Sequence, residues 1–335
     1  NEVSGAHPLM KSLDAIRHSG TPVVDIQLAP LSAVHLNQLV ADTLHAPPAS
    51  CEPLTHLICE RTESNPFFFT QFLDALHKEG LLRRDAQIRA WRWDLEQIKA
   101  KDFADNVVDL MLGKLRQLPI PAQEALQLAA CLGDKFDLRI LALVSGQADV
   151  EQHLAPAVRE NLILRTHGSG KFLHDRIQQA AYSLIPEGRR SEVHLRIGRV
   201  LLVSMTADEF AEHLFDVANQ FNRGAALITA QEERERVAEL NLTAGMRAKA
   251  ATAYASALVY FTAGHALVTE DGTSSHDALT FSLGFQRAEC EFLTGDLTTA
   301  EQRLSMLSHR AANLIDKAVV ACLRMALYML SLIHI

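Results

Sequence analysis

No G-x-x-x-x-G-K-[ST] string occurs in the 335 residues, so the sequence holds no loop of the type that cradles triphosphates. Gly168-Ser169-Gly170-Lys171 comes nearest and fails, with Arg165 where the pattern needs Gly and Phe172 where it needs Ser or Thr. H-E-x-x-H is absent too, and Cys51 and Cys59 lack paired partners, so no metal site is expected. No Ser, His and Asp order and no carboxylate pair stands out, which leaves the sequence without a catalytic residue. Cysteine is scarce: Cys51, Cys59, Cys131, Cys290 and Cys322 are 5 in number, odd and widely spaced. That argues against a disulfide scaffold and suits buried thiols in a reducing cytoplasm. A basic surplus is lacking as well. Lys and Arg total 32 against 40 for Asp and Glu, a net charge of -8 that disfavours nucleic acid as a main partner. No basic-then-apolar leader opens the chain at Asn1. The apolar run 318–335 carries Arg324 in its middle and reads as a packed helix of a truncated array, not a membrane span.

What is present is mostly helix. With 48% hydrophobic and 21% charged residues, the composition is that of a globular protein, and the length suits two or three domains. Residues 7–19 read as a short helix. Val24, Ile26 and Leu28 alternate with Asp25 and Gln27, the pattern of a half-buried strand. Ser32 can cap a helix whose stripe is Leu36, Leu39, Val40 and Leu44, closed by Pro47-Pro48. Pro53 falls in the first turn of another, ending near Thr62. Asn65-Pro66 opens a third (Phe68, Phe69, Phe72, Leu73, Leu76), which Gly80 stops. Residues 81–93 are basic and aromatic, with Arg83, Arg84, Arg89, Trp91, Arg92 and Trp93. They read as a hairpin or linker that either grips an anion or a partner or is simply solvated.

Helices over 106–118, 121–131, 137–144 and 149–162 precede a strand, a turn at 167–170, a second strand, and a helix capped by Asp175. Helices followed by a β-hairpin read as a winged helix. Its would-be recognition helix carries Asp149, Glu151 and Glu160 against Arg159, a charge that DNA would repel. Beyond Arg189 everything is helical and rich in alanine. Ala244-Gly245, Ala257, Phe261 and Gly264 fall at tetratricopeptide-like offsets, and Gly295-Asp296, Ala300, Leu304 and Leu307 form a second, irregularly spaced unit.

Two strings carry a family resemblance. Thr62-Glu63-Ser64-Asn65-Pro66-Phe67-Phe68 resembles the G-N-P motif in the helical lid of signal-transduction ATPases with numerous domains (the STAND branch of the AAA+ class), with Ser64 in place of Gly. Phe172-Leu173-His174-Asp175 resembles the x-H-D element of their winged helices. Trp91-Arg92-Trp93-Asp94, Leu128-Ala129-Ala130-Cys131-Leu132-Gly133 and the stretch from Phe172 to Pro186 extend the likeness. It points to the bacterial trifunctional chains that join a serine/threonine kinase, an ATP-binding protein and a sensor histidine kinase. The resemblance implies a mainly α fold: a remnant of an α/β P-loop ATPase core over 1–31, a helical lid and linker over 32–101, a winged helix over 102–188, and a truncated tetratricopeptide-like array over 189–335. It implies an adenine nucleotide, ATP or ADP (with Mg in the full-length protein), bound by Asn65, Pro66 and His174, with the Pro66 ring at the adenine and His174 at the β-phosphate. Imidazole suits that task, since it donates a hydrogen bond and gains charge near neutral pH. It further implies a P-loop lost upstream, neighbouring kinase domains as partners, and a regulatory role for a fragment that is not itself catalytic. The alternative is a non-enzymatic scaffold whose helical repeats bind a protein or peptide.

Overall fold

The computed structural model describes residues 13, 16–24, 26, 29–85, 87, 90–100, 107–269 and 277–333. The chain divides into two compact units, Asn1–Leu110 and Met111–Ile335.

In the first unit, α1 (Ala33–Leu44), α2 (Pro48–Thr62) and α3 (Pro66–Lys78) precede a hairpin, β1 (Leu82–Asp85) and β2 (Ala90–Trp93), and the short α4 (Leu95–Ala100). Ser32 caps α1 by accepting the His35 N–H. The α1 stripe of Leu36, Val40 and Leu44 then meets Cys51, Leu54 and Ile58 of α2, and Phe69, Phe72 and Leu76 of α3. Each such side chain, fully buried, contributes about 1.5–3 kcal/mol. Helix α2 begins at Pro48, so Pro53 lies inside it rather than in its first turn. After α3, Gly80 turns the chain at φ 69°, and the Leu81 N–H donates to the Leu76 carbonyl at 2.9 Å.

The strand expected over 24–28 is not formed at residues 21–24 and 26. Val24 is 82% and Ile26 83% exposed. Alternation supplies only a candidate face; a strand also needs a neighbour for its N–H and C=O groups. Neither sheet among the described residues pairs with this segment. Residues 7–12, 14, 15, Asp25, Gln27 and Leu28 lie outside the described residues.

The second unit opens with α5 (Val107–Gln117), within which the division falls. Next come α6 (Ile120–Leu132), β3 (Lys135–Asp137), α7 (Leu138–Ser145), α8 (Val150–Arg159), β4 (Ile163–Thr166), β5 (Ser169–Phe172) and α9 (Asp175–Ser183). The β4–β5 hairpin pairs as its turn signals predict. Strand β3 was not legible. It adds to β5, giving an antiparallel sheet of order β3-β5-β4. Its Phe136 ring lies 5.6 Å from that of Phe172, tilted at 58°, and covers Gly170, where a Cβ would run into the ring.

A helical array completes this unit: α10 (Glu187–Ser204), α11 (Ala207–Glu212), α12 (Leu214–Gly224), α13 (Gln231–Ala250), α14 (Tyr254–Thr269), α15 (Asp277–Leu293), α16 (Leu297–Arg310) and α17 (Leu314–Ile333). From α12 to α17, each helix packs on the next. The repeat-like offsets have a steric meaning. Gly245 of α13 accepts the buried Phe261 ring of α14, and Gly264 faces Asn241 and Leu283 at contact distance. Between α15 and α16, Glu291 is 3% exposed and takes both Arg303 Nε and Nη2 at 2.8 Å, with Arg287 Nε at 3.2 Å. Among the described residues, no helix is long and apolar enough to cross a membrane.

Candidate functional site

After α2 ends, Glu63 and Ser64 both adopt left-handed backbone, φ 50° and 57°. Ser64 thus occupies, at some strain, the conformation that glycine takes freely. Asn65 returns to extended backbone and caps α3, its Oδ1 accepting from the Phe67 N–H at 3.0 Å and the Phe68 N–H at 3.4 Å. Pro66 is the first helical residue, and its ring is exposed. Beneath it Phe68 and Phe69 are buried, which fixes the helix start on the core. Asn65 and Pro66 therefore come together at one helix N-terminus of the first unit.

His174 belongs to the second unit, at the start of α9. Here the structure corrects the sequence reading: His174, not Asp175, is the N-cap. An N-cap residue must be extended, and His174 has φ -152° and ψ 147° whereas Asp175 is already helical. His174 Nδ1 accepts the Arg176 N–H at 3.1 Å, and Asp175 Oδ1 shares that N–H at 2.8 Å. His174 Nδ1 also lies against the Asp175 carboxylate. The ring is 27% exposed. Asp175 keeps a favourable place for a negative charge in the first turn of the helix.

The far end of α9 holds a buried polar chain that the sequence did not reveal. Tyr182 OH lies 3.0 Å from His194 Nε2, His194 Nδ1 lies 2.7 Å from Gln220 Oε1, and Gln220 Nε2 donates to the Cys131 carbonyl at 2.8 Å. The directions are fixed by that carbonyl, which can only accept. Gln220 must present its amide nitrogen there and its oxygen to His194. His194 must then carry its proton on Nδ1 and accept the Tyr182 hydroxyl proton on Nε2. His194 is 1% exposed. Burial holds its pKa below the ordinary 6.5, the Gln220 bond opposes this, and nearby Arg223 adds to it. The chain ties α9 and α6 to α10 and α12. Gly198 and Gly224 permit this close approach, packing against Phe221 and Leu195. Positions 131, 182, 194 and 220 share no period, so no sequence signal joins them.

A cavity of about 340 Å³ runs along α9, lined by Ala130, Asp175, Gln178, Gln179, Tyr182 and Arg223. Burial pushes the Cys131 thiol up to about 12 and the Cys290 thiol up to about 11, so neither is a thiolate at neutral pH. All five cysteines are free. Among the described residues, no group of three or more His, Cys, Asp and Glu side chains is arranged to hold a metal ion.

No protein-family profile matches the chain. It is 28% identical to the hybrid signal transduction histidine kinase G of Dictyostelium discoideum, over 85% of this chain. The chain spans 10% of that protein's length. Among solved structures it is similar to a signal transduction ATPase with numerous domains, carrying a tetratricopeptide repeat sensor, from Pyrococcus horikoshii. That pair is 13% identical with a TM-score of 0.44, over 91% of this chain and 45% of the other.

Proposed function

We propose that this chain is the regulatory segment of a larger signalling kinase, with an adenine nucleotide as its switch. The observation that carries the signalling reading is the 28% identity to a hybrid signal transduction histidine kinase, which runs through 85% of the chain and so through both compact units. In this reading residues 102–188 form a winged helix, residues 32–101 a lid and linker, and the array senses or transmits. ADP is held by the lid at Asn65 and Pro66 and by the winged helix at His174, and exchange for ATP with Mg releases the hold. The residues fit such a ligand. The exposed Pro66 ring offers an apolar face, both strings open helices whose first N–H groups suit anions, and imidazole is a group that donates hydrogen bonds to phosphate. Asp175 opposes a phosphate there by its charge. Kinase domains elsewhere in the parent chain receive the output. A bacterial trifunctional kinase is the particular parent the sequence resembles.

A second reading has its own support. Asn65 and His174 each commit a ring or amide atom to capping a helix, which a purely structural role explains. In that reading the array is a scaffold for a protein or peptide.

ADP release from the natural full-length protein separates the two. Losing a hydrogen bond to a charged phosphate is worth about 1.5–3 kcal/mol, so His174→Ala should release ADP about 10- to 100-fold faster. Unchanged release from a stably folded variant favours the scaffold. Residues 1–335 alone should bind ADP weakly, because the sequence carries no phosphate-cradling loop. Tight binding by that chain in calorimetry would contradict the clamp.

A further inference from the structure

The basic hairpin of the first unit takes no part in the reading above. In a chain of net charge -8, residues 82–93 hold Arg83, Arg84, Arg89 and Arg92 against the one carboxylate of Asp85. The register of β1 and β2 sets Arg83 directly opposite Arg92. Like charges directly opposed across an antiparallel pair destabilise it, so this pairing is a local cost that an anion would relieve. The two guanidinium groups are also held in place. Arg83 folds back over Gly80 and donates Nε to the Gly80 carbonyl, and Arg92 Nε lies 3.3 Å from Asp85 Oδ2. Asp94 is engaged in capping α4, accepting from the Glu96 N–H at 2.9 Å and the Gln97 N–H at 3.2 Å. The Arg84 side chain, by contrast, makes no hydrogen bond or ion pair to another described residue. Arg83, Arg84 and Arg92, with Asp85, Asp94 and Trp93, line a cavity of about 450 Å³, of the size that small ligands occupy; its three guanidinium groups outnumber its two carboxylates.

We propose that this cavity is a phosphate-binding site, which takes a small dianionic phosphate or the phosphate group of a small metabolite. Arginine forks suit tetrahedral oxyanions because two parallel N–H groups meet two oxygens. A local excess of positive charge on an acidic chain also concentrates anions at this face. Arg83 and Arg92 share one face of the hairpin and form the walls, and Arg84, which pairs with Trp91 across the ladder, also lines the cavity.

The protein supplies its own reporter. Its two tryptophans, Trp91 and Trp93, both lie in β2. Trp93 lines the cavity, while Trp91 packs edge-on against His77 at 5.2 Å. In Trp91→Phe, fluorescence therefore reads the cavity alone. Pyrophosphate and inorganic phosphate, titrated at constant ionic strength with chloride as control, should each give a saturable change that chloride does not. Arg84→Gln should weaken the apparent affinity at least about 10-fold, the loss expected for one charge-assisted bond. Arg84→Lys should retain part of it. Arg84 is exposed, so an unchanged melting curve will show the variants folded. A linear response shared with chloride would overturn the proposal, as would saturation that Arg84→Gln and Arg83→Gln leave unchanged. Saturation by an acidic peptide without any response to phosphate would overturn it too. Because the site shares no residue with Asn65, Pro66 and His174, these outcomes do not depend on whether ADP is clamped by those residues.

Discussion

At Ser64 and Gly170 a single atom decides the local fit. Ser64 holds a left-handed φ of 57° between α2 and the Asn65 cap. Ser64→Gly relieves that strain at the expense of more freedom in the unfolded chain, for a net gain of up to about 1 kcal/mol. Urea unfolding of the pair would read it; a loss of stability would mean that the serine side chain makes a contact worth more than the strain. Gly170→Ala acts in the opposite direction. Its new Cβ meets the buried Phe136 ring, so β3 must shift or the ring must leave, at about 1–3 kcal/mol. Adding Phe136→Leu should recover part of that loss, and a double-mutant cycle would show the coupling. The sequence offered Ser64 in place of a motif glycine and Gly170 as part of a turn. The ring that Gly170 meets comes from Phe136, more than thirty residues away.

Helix α9 is the element on which the functional reading turns. Its N-terminus carries His174 and its last turn carries Tyr182, the first member of the buried chain through His194 and Gln220 to Cys131. Tyr182→Phe leaves the ring and removes one hydroxyl, so His194 Nε2 becomes a buried acceptor without a donor. That costs about 1–3 kcal/mol. The loss should appear as faster amide exchange in residues 175–183 and at the α10–α12 seam together, since the chain joins them. Exchange confined to the frayed end of α9 would show that Tyr182 packs without coupling. His194→Asn retains a donor for Gln220 and none of the acceptor for Tyr182, and should loosen α9 alone. At the other end, Asp175→Ala removes a favourable charge in the first turn and should cost only about 0.3–1 kcal/mol, since His174 provides the cap.

At the scale of the whole molecule, two histidines make stability depend on pH in one direction. Burial lowers the pKa of His194. It also brings that of His265 down to about 4, with Arg287, Arg303 and Arg310 adding and Glu291 opposing. Below the ordinary value of 6.5 the unfolded chain therefore binds protons that the folded chain refuses. Stability is fully present above that value and falls as pH drops from about 6.5 toward about 4, where His265 protonates in the folded state as well. Denaturant melts between pH 7.5 and 4.5 should show this decline, and His265→Gln should make it shallower. Glu233 and Glu301, held low by Arg199 and by Tyr328 and Arg324, lose their contributions only further down, below the usual 4.5. An unchanged slope in His265→Gln would place the decline elsewhere.

The sequence by itself determined the local part of this protein. The 3.6-residue apolar stripes, the Ser32 and Asn65 caps, the Gly80 stop and the turn before β5 depend on neighbours a few residues away, and are realised nearly where they were read: Leu39 of the first stripe is 37% exposed, and of the turn read over 167–170 Ser169 and Gly170 belong to β5. The small residues at repeat-like offsets also declared the α13–α14 contact, because a glycine opposite a phenylalanine has one steric use. The tertiary structure decided the rest. Val24 and Ile26 alternate correctly and form no strand, since no described strand edge pairs with them. Lys135–Asp137 has almost no pattern and becomes a strand because β5 presents one. His174 displaced Asp175 as the cap because the path of β5 into α9 left His174 as the last extended residue. The Tyr182–His194–Gln220 chain and the opposed Arg83 and Arg92 exist only through pairings between distant elements. A hydrogen bond or a charge pair across such a distance leaves no period in the sequence from which to read it.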